Sequence, residues 1–304
     1  MFDHPYSYDA ILAASEKIHW RVEDLIGDDK PLDFGRPFLP ETLARVQSLP
    51  WLSAAEQRAL NHVRGHTYLY IFGLVEEFIL PFVLDHARTH LHSDDYRVRA
   101  LLQFAAEEAK HIHLFRRFSA EFERGFGFSC GKVGPPREIA RAVLSHHPLG
   151  VALAILQIEW MTQAHYLESV KDDQDLAPQF KSLLRHHWME EAQHAKIDTI
   201  VIDTLADACT PEEIDRAVDD YGKIGALLDG GLTTQAEFDV DSFVRRSGRT
   251  FTADEREALR AVQRQATRWT FLGSGMSHRN FLSTIGALRP AAREAVEQMV
   301  PTFS

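Results

Sequence analysis

The chain has 304 residues, 45% of them apolar and 25% charged, which are the proportions of a soluble globular protein without bulk disorder. A formal net charge of −11, with no run of roughly five or six basic residues, excludes a nucleic-acid partner held by the usual basic patch. The two cysteines, Cys130 and Cys209, are isolated and form neither a CxxC pair nor a disulfide framework, so a reducing, cytoplasmic location is expected.

The N-terminus, MFDHPYSYDA, lacks a basic region followed by an apolar run, so no secretory signal is expected. Helical periodicity first covers about 8–26, and the stretch from Gly27 to Pro40, with Pro31 and Pro37 inside it, reads as loop. Ser53 with Glu56 has capping-box spacing and opens a helix over 53–91, in which Pro81 should cause a kink or break. Ser93 before Asp94 and Asp95 opens the next, over 94–124. Gly125 to His147, containing GFGFSCGKVGPP, reads as loop. Helices follow at 148–173, opened by Pro148, and at 178–208. Thr210 with Glu213, and Pro211 between them, open a helix over 211–229; Thr252 with Glu255 opens one over 253–285; a last helix covers 290–299. No alternating strand pattern of useful length is present. The longest uncharged apolar stretch, Leu149 to Ile158, is shorter than the ~20 residues that span a bilayer, so no membrane partner is expected.

One internal repeat carries chemistry. Glu107-Glu-Ala-Lys-His111 recurs 83 residues later as Glu190-Glu-Ala-Gln-His194, and the same offset carries Glu76 onto Glu159. Residues three apart share a helix face, so Glu108 with His111, and Glu191 with His194, can each point at one metal ion. Glu76 precedes Glu108 by 32 residues, and Glu159 precedes Glu191 by 32, a separation that suits antiparallel helices joined by a short turn. Glu77 is the alternative to Glu76; the repeat favours Glu76. Glu159 follows a long apolar run, where an unpaired charge would be costly and a metal ion would remove the cost.

A lone Glu from each of two helices, with Glu-x-x-His from each of two others, resembles the ligand pattern of ferritin-like di-iron and di-manganese proteins. The resemblance implies an all-α fold: a ferritin-like four-helix bundle core with additional N- and C-terminal helices. A single domain over 1–304 is expected, its metal-binding core at about 53–208 and accessory helices at 1–52 and 209–304. Carboxylate and imidazole ligands without thiolate suit two iron ions, with manganese as the alternative. Glu107 and Glu190 are candidate acceptors for the outer N–H of a ligand histidine across the bundle. His187 lies on the stripe of Glu191 and His194; His186 is about 100° away. Reaching a common centre requires Glu191 between the two histidines with the His187 ring leaning inward, or a local π-bulge.

The string His187-Trp-Met-Glu-Glu191-Ala-Gln-His194 resembles the HxxxExxH ligand helix of the p-aminobenzoate N-oxygenase family. That resemblance implies a ligand set of Glu76, Glu108, His111, Glu159, His187, Glu191 and His194, with O2 as co-substrate and oxidation of an aryl amine. Many di-iron oxygenases carry Arg before the ligand His; Lys110 and Gln193 stand there here. Ile71 and Gly73, in the turn before Glu76, are not basic and offer no contact to a substrate carboxylate. The expected function is O2-dependent oxygenation of a small organic molecule, most specifically N-oxygenation of an amine, served by an external electron donor. The alternative is a ferritin-like di-iron or manganese protein for C–H hydroxylation or for metal oxidation and storage. Phe72, Gly73, Leu80, Phe104, Ile155, Thr162, Gln163 and Trp188 are the candidate lining of a substrate pocket. The family resemblance, with the surplus apolar helices after residue 211, predicts a homodimer.

Overall fold

Helix starts are set by side chains that take up the first exposed backbone N–H groups. In the computed structural model, which describes residues 4–92 and 95–303, Ser53, Thr210 and Thr252 each accept the backbone N–H three residues on. Glu56, Glu213 and Glu255 reach back to the N–H of the cap. The start expected at Ser93 lies outside the described residues.

In chain order the helices are α1 (Tyr8–Ser15), α2 (Val22–Leu25), α3 (Glu41–Ala44), α4 (Ala54–Thr89), α5 (Asp95–Phe126), α6 (Pro136–Leu144) and α7 (Pro148–Ala164). They continue with α8 (Pro178–Asp207), α9 (Pro211–Ser247), α10 (Ala253–Arg268), α11 (Ser274–Met276), α12 (Arg279–Leu288) and α13 (Pro290–Met299). The fold is all-α: no strand occurs among the described residues, only an isolated bridge between Gly27 and Lys30.

Helices α4, α5, α7 and α8 form the four-helix core. α4 and α5 are antiparallel: His66 packs on Phe122, Gly73 lies against Phe115, and Glu76 faces His111. α5 and α8 are antiparallel as well, with Glu107 against His194 and Glu190 against His111. α7 packs on α8, α9 covers α4 and α7, and α1 lies across α5 and α8. α4 carries an 18-residue window apolar enough to cross a bilayer, but 67% of that window is buried in the bundle. It reads as a core helix, and its charged residues hid it from a search for uncharged runs.

Several boundaries differ from the sequence reading. The first helix stops at Ser15, and Trp20 lies in the irregular stretch before α2. α4 runs on through Pro81 to Thr89, because Phe78, Ile79, Val83 and Ala87 on either side are anchored in the core. The loop expected over 125–147 contains α6, which Pro136 opens at its first position. α9 does not stop at 229 but continues past Gly230 and Gly231 to Ser247. Burial of Leu232, Ala236, Val240 and Phe243 outweighs the glycine penalty of about 1 kcal/mol each. It ends at Gly248, whose left-handed φ of 67° a Cβ would disfavour. The helix expected over 253–285 divides at Ser277–His278, after a π-helical turn at Trp269–Gly273. A second π-helical turn, His165–Val170, extends α7.

Replacing Thr252 by Ala removes one cap acceptor and its reciprocal partner. Thr252→Ala is expected to lower stability by about 1 kcal/mol in chemical denaturation, with the metal content untouched. An unchanged midpoint would contradict the capping role.

Candidate metal centre

The repeat places its acidic and imidazole side chains at mid-depth in the bundle. Glu76 comes from α4, Glu108 and His111 from α5, Glu159 from α7, and His187, Glu191 and His194 from α8; all seven are buried. Glu77 turns outward to an ion pair with Arg116 at 2.6 Å, which leaves Glu76 as the inward carboxylate of that pair.

Two groups of donor atoms converge. Glu76, His111, His187 and Glu191 form one; Glu108, His111, Glu191 and His194 form the other. Glu191 joins them: its Oε1 is 2.9 Å from His187 Nε2 and 3.0 Å from His111 Nδ1, and its Oε2 is 3.4 Å from His194 Nδ1. His194 Nδ1 is 2.9 Å from Glu108 Oε1, and His187 Nε2 is 3.1 Å from Glu76 Oε1. α8 is a regular α-helix here. The seven-residue gap between His187 and His194 is spanned without a π-bulge, since His187 uses its far nitrogen and Glu191 lies between. Phe72 and Phe115 meet the His187 ring edge-on at 5.1 Å each, and Phe104 stacks on His194 at 4.0 Å.

Glu159 reaches the cluster from the α7 side, at Glu191. It is outside the two converging groups, and its carboxyl interacts with that of Glu191. α7 therefore contributes to the cluster through a carboxyl–carboxylate contact.

The outer nitrogens of the two repeat histidines are held crosswise. His111 Nε2 pairs with Glu190 Oε2 at 2.8 Å, and His194 Nε2 pairs with Glu107 Oε2 at 2.8 Å. With Nε2 turned outward to these carboxylates, the Nδ1 atoms of both rings face the cluster, where each could offer a lone pair to a metal ion. Glu107 is supported by Ser15 Oγ at 2.7 Å and Gln103 Nε2 at 2.8 Å; Glu190 is supported by Lys110. The Lys110 ammonium also lies 4.0 Å over the Trp20 ring, and that ring stacks on His111 at 5.9 Å. Thus Lys110, at the position where many di-iron oxygenases carry Arg, anchors Glu190. Gln193, its counterpart, touches neither Glu107 nor His194 through a hydrogen bond and instead accepts from Lys196.

Proton sharing dominates the electrostatics. Burial, aided by Glu108 and Glu191, pushes the Glu76 carboxyl well above its usual range; burial and Glu191 do the same to Glu159, and raise Glu108. Against the pull of burial, His187 and His194 hold Glu191 well below its usual range. His111 rises to about 9 against burial, through Glu190 and Glu191, and His194 rises well up through Glu191 and Glu107. Burial lowers His187.

The donor chemistry fits metal ions. Glu76 Oε2, both Glu108 oxygens, Glu159 Oε2, Glu191 Oε1 and the Nδ1 atoms of His111 and His194 are buried without a hydrogen-bond partner. Leaving one such atom unsatisfied costs about 1–3 kcal/mol. Close approach without hydrogen-bond alignment is what acceptors aimed at a shared cation show. Four carboxylates, Glu76, Glu108, Glu159 and Glu191, match the charge of two divalent ions. The cluster can hold two metal ions.

Sequence reasoning missed Asp198 and Trp20. Asp198 is buried, with Oδ2 unpartnered and its carboxyl pushed well up by burial. Its position four residues after His194, on the His187–Glu191–His194 stripe, was the available signal. Trp20 had none, being brought in by a loop. The candidate pocket residues also divide: Phe72 and Phe104 pack on the histidines, Gly73 lines a surface groove between α4 and α5, and Gln163 lines a cleft beside α11. None of the eight lines the apolar cavity between α4, α7 and α9.

No family model matches the chain, and no curated protein matches it in sequence. Solved structures that match include two mutant forms of an R2-like ligand-binding oxidase with reconstituted Mn/Fe cofactor. They are 14% identical, with TM-scores of 0.44 and 0.46, over 88% of this chain and 92% and 93% of theirs. A further mutant of that oxidase, with a non-activated Mn/Mn cofactor, matches at 14% identity and a TM-score of 0.43, over 88% of this chain and 92% of its own.

Glu108→Ala and Glu191→Ala are each expected to abolish stoichiometric binding of two ions, measured by metal analysis after equilibration with Fe(II) or Mn(II). Glu190→Gln, which keeps the shape but weakens the hold on His111, should reduce affinity about 10- to 100-fold. Two tightly bound ions in either alanine variant would remove the cluster as the metal site.

Proposed function

We propose that the protein is an O2-dependent, non-haem di-iron oxygenase that acts on a small organic substrate, with N-oxygenation of an amine as its reaction. The observation that carries this reading is His187, which joins the four carboxylates and two repeat histidines on the side of Glu76 and Glu191. Oxygen and imidazole donors without thiolate suit iron, and manganese by the same chemistry.

Glu76, Glu108, His111, Glu159, His187, Glu191 and His194 would hold the two ions, with Glu107 and Glu190 fixing the imidazoles. Two reduced irons held there would bind O2 and supply electrons for its activation, and an external donor would restore them. The chain's own residues set the conditions. Phe72, Phe104 and Phe115 wall the histidines from water. Glu191 sits between three imidazoles, where it stays ionised and can join the two donor groups. Storage of oxidised metal is the poorer reading, because an apolar cavity is lined by Val75 and Ile158, the residues before Glu76 and Glu159, and suits an organic ligand.

His187→Ala is expected to retain most of the metal but to lose oxidation of arylamines. His186→Ala, whose ring bonds the Ser182 carbonyl at 2.7 Å, should be nearly silent. Turnover and an O2-exposure spectrum unchanged in His187→Ala would leave N-oxygenation without support. A homodimer is proposed as the working assembly; a monomeric mass in light scattering at micromolar concentration would exclude it.

A further inference from the structure

A cavity of about 150 Å³ lies between α4, α6, α7, α9 and the π-helical turn after α10, and every residue lining it is apolar. Its walls include Ile71, Val75, Ile158, Leu232 and Phe271, with Gly231 toward the mouth. Val75 and Ile158 immediately precede Glu76 and Glu159. One residue turns a helix by about 100°, so the cavity flanks the two carboxylates that come singly from their helices. Phe72 packs between the two, with ring centroids 5.1 Å from His187 and 5.7 Å from Phe271, a residue of the cavity wall.

The mouth is shaped by a costly residue. Gly231 lies inside the 37-residue helix α9, and a Cβ built on it would meet nothing within 4 Å. No close packing therefore requires glycine there, although glycine is a poor helix former. Unlike Gly222, it lines the cavity, one turn from Leu227, which is 41% exposed.

From these features we infer that the cavity binds an uncharged single-ring compound, a neutral arylamine or its like, and rejects rings that bear a carboxylate or an alkylammonium group. A volume of about this size lined by aliphatic and aromatic side chains accepts a benzene-sized guest. A carboxylate inside would be buried without a partner, and at the mouth it would meet Leu227, Leu228 and Gly231 rather than a cation. An arylamine delocalises its nitrogen lone pair into the ring and is uncharged near neutral pH; an alkylamine is protonated and meets the same penalty. The role of this guest as substrate rests on the proposed oxygenase; its binding does not.

The test is 19F NMR titration of 4-fluoroaniline into the full-length protein, metal-loaded and metal-stripped, with 4-aminobenzoate and benzylamine as competitors. Saturable binding is expected in both forms, with shifts at the methyl groups of Val75, Ile158 and Leu232 in the wild type. Gly231→Leu, which fills the cavity, should weaken binding at least about tenfold. Gly222→Leu is the control, since Gly222 lies on the same helix, exposed, with nothing within 4 Å of its Cβ. The two charged rings should compete at least about tenfold more weakly. Equal competition by 4-aminobenzoate, unchanged affinity in Gly231→Leu, or methyl shifts elsewhere would each overturn the inference. The two readings fail separately. Ring binding at Ile158 in a protein that takes up no iron would sink the oxygenase and keep the cavity. A di-iron protein whose ring binding ignores Gly231→Leu would do the reverse.

Discussion

Mutual repulsion among buried carboxylates is the constraint around which this bundle is arranged. Glu76, Glu108, Glu159 and Glu191 come from four helices into one dry region, where unpaired charges are far costlier than in water. Without cations the region settles by sharing protons: Glu76 and Glu159 are driven toward the neutral acid, while Glu191 keeps its charge among three imidazoles. Two divalent ions would replace that arrangement by direct charge balance. The surrounding parts follow from this need. Glu107 and Glu190 orient the imidazoles, and Ser15, Gln103 and Lys110 hold those two carboxylates in turn.

The two halves of the repeat are not chemically equal. Phe104 occupies the position that corresponds to His187, and it stacks flat on His194 as an apolar lid. His187 instead turns a nitrogen to Glu76 and Glu191. Lys110 and Gln193 differ in the same way, one anchoring an outer carboxylate and the other not. The centre thus has a polar, nitrogen-rich side at His187 and an apolar one at Phe104.

Much of this was legible in the sequence because it is local or periodic. Capping boxes depend on residues three apart, and the ligand pattern depends on helix-face spacing and a constant offset, so Ser53, Thr210, Thr252 and the two Glu-x-x-His pairs could be read directly. What could not be read depends on contacts between distant segments. α9 continues past Gly230 and Gly231 because its later apolar residues find a core supplied by other helices. Glu159 meets the cluster at Glu191, the carboxylate shared by both donor groups, because the depth of α7 relative to α8 is a packing result. The cavity lining escaped for the same reason: residues one position away from the ligands, Val75 and Ile158, face α9, which spacing within α4 or α7 does not report.

The stretch before α2 gives the N-terminal segment leverage over the centre. Ser15 bonds Glu107, which holds His194, while Trp20 covers the Lys110–Glu190 pair that holds His111. Both imidazoles are thus steadied, at one remove, by some of the first twenty residues of the chain. Displacing that arm would withdraw support from both histidines together, so the two halves of the centre share one N-terminal clasp.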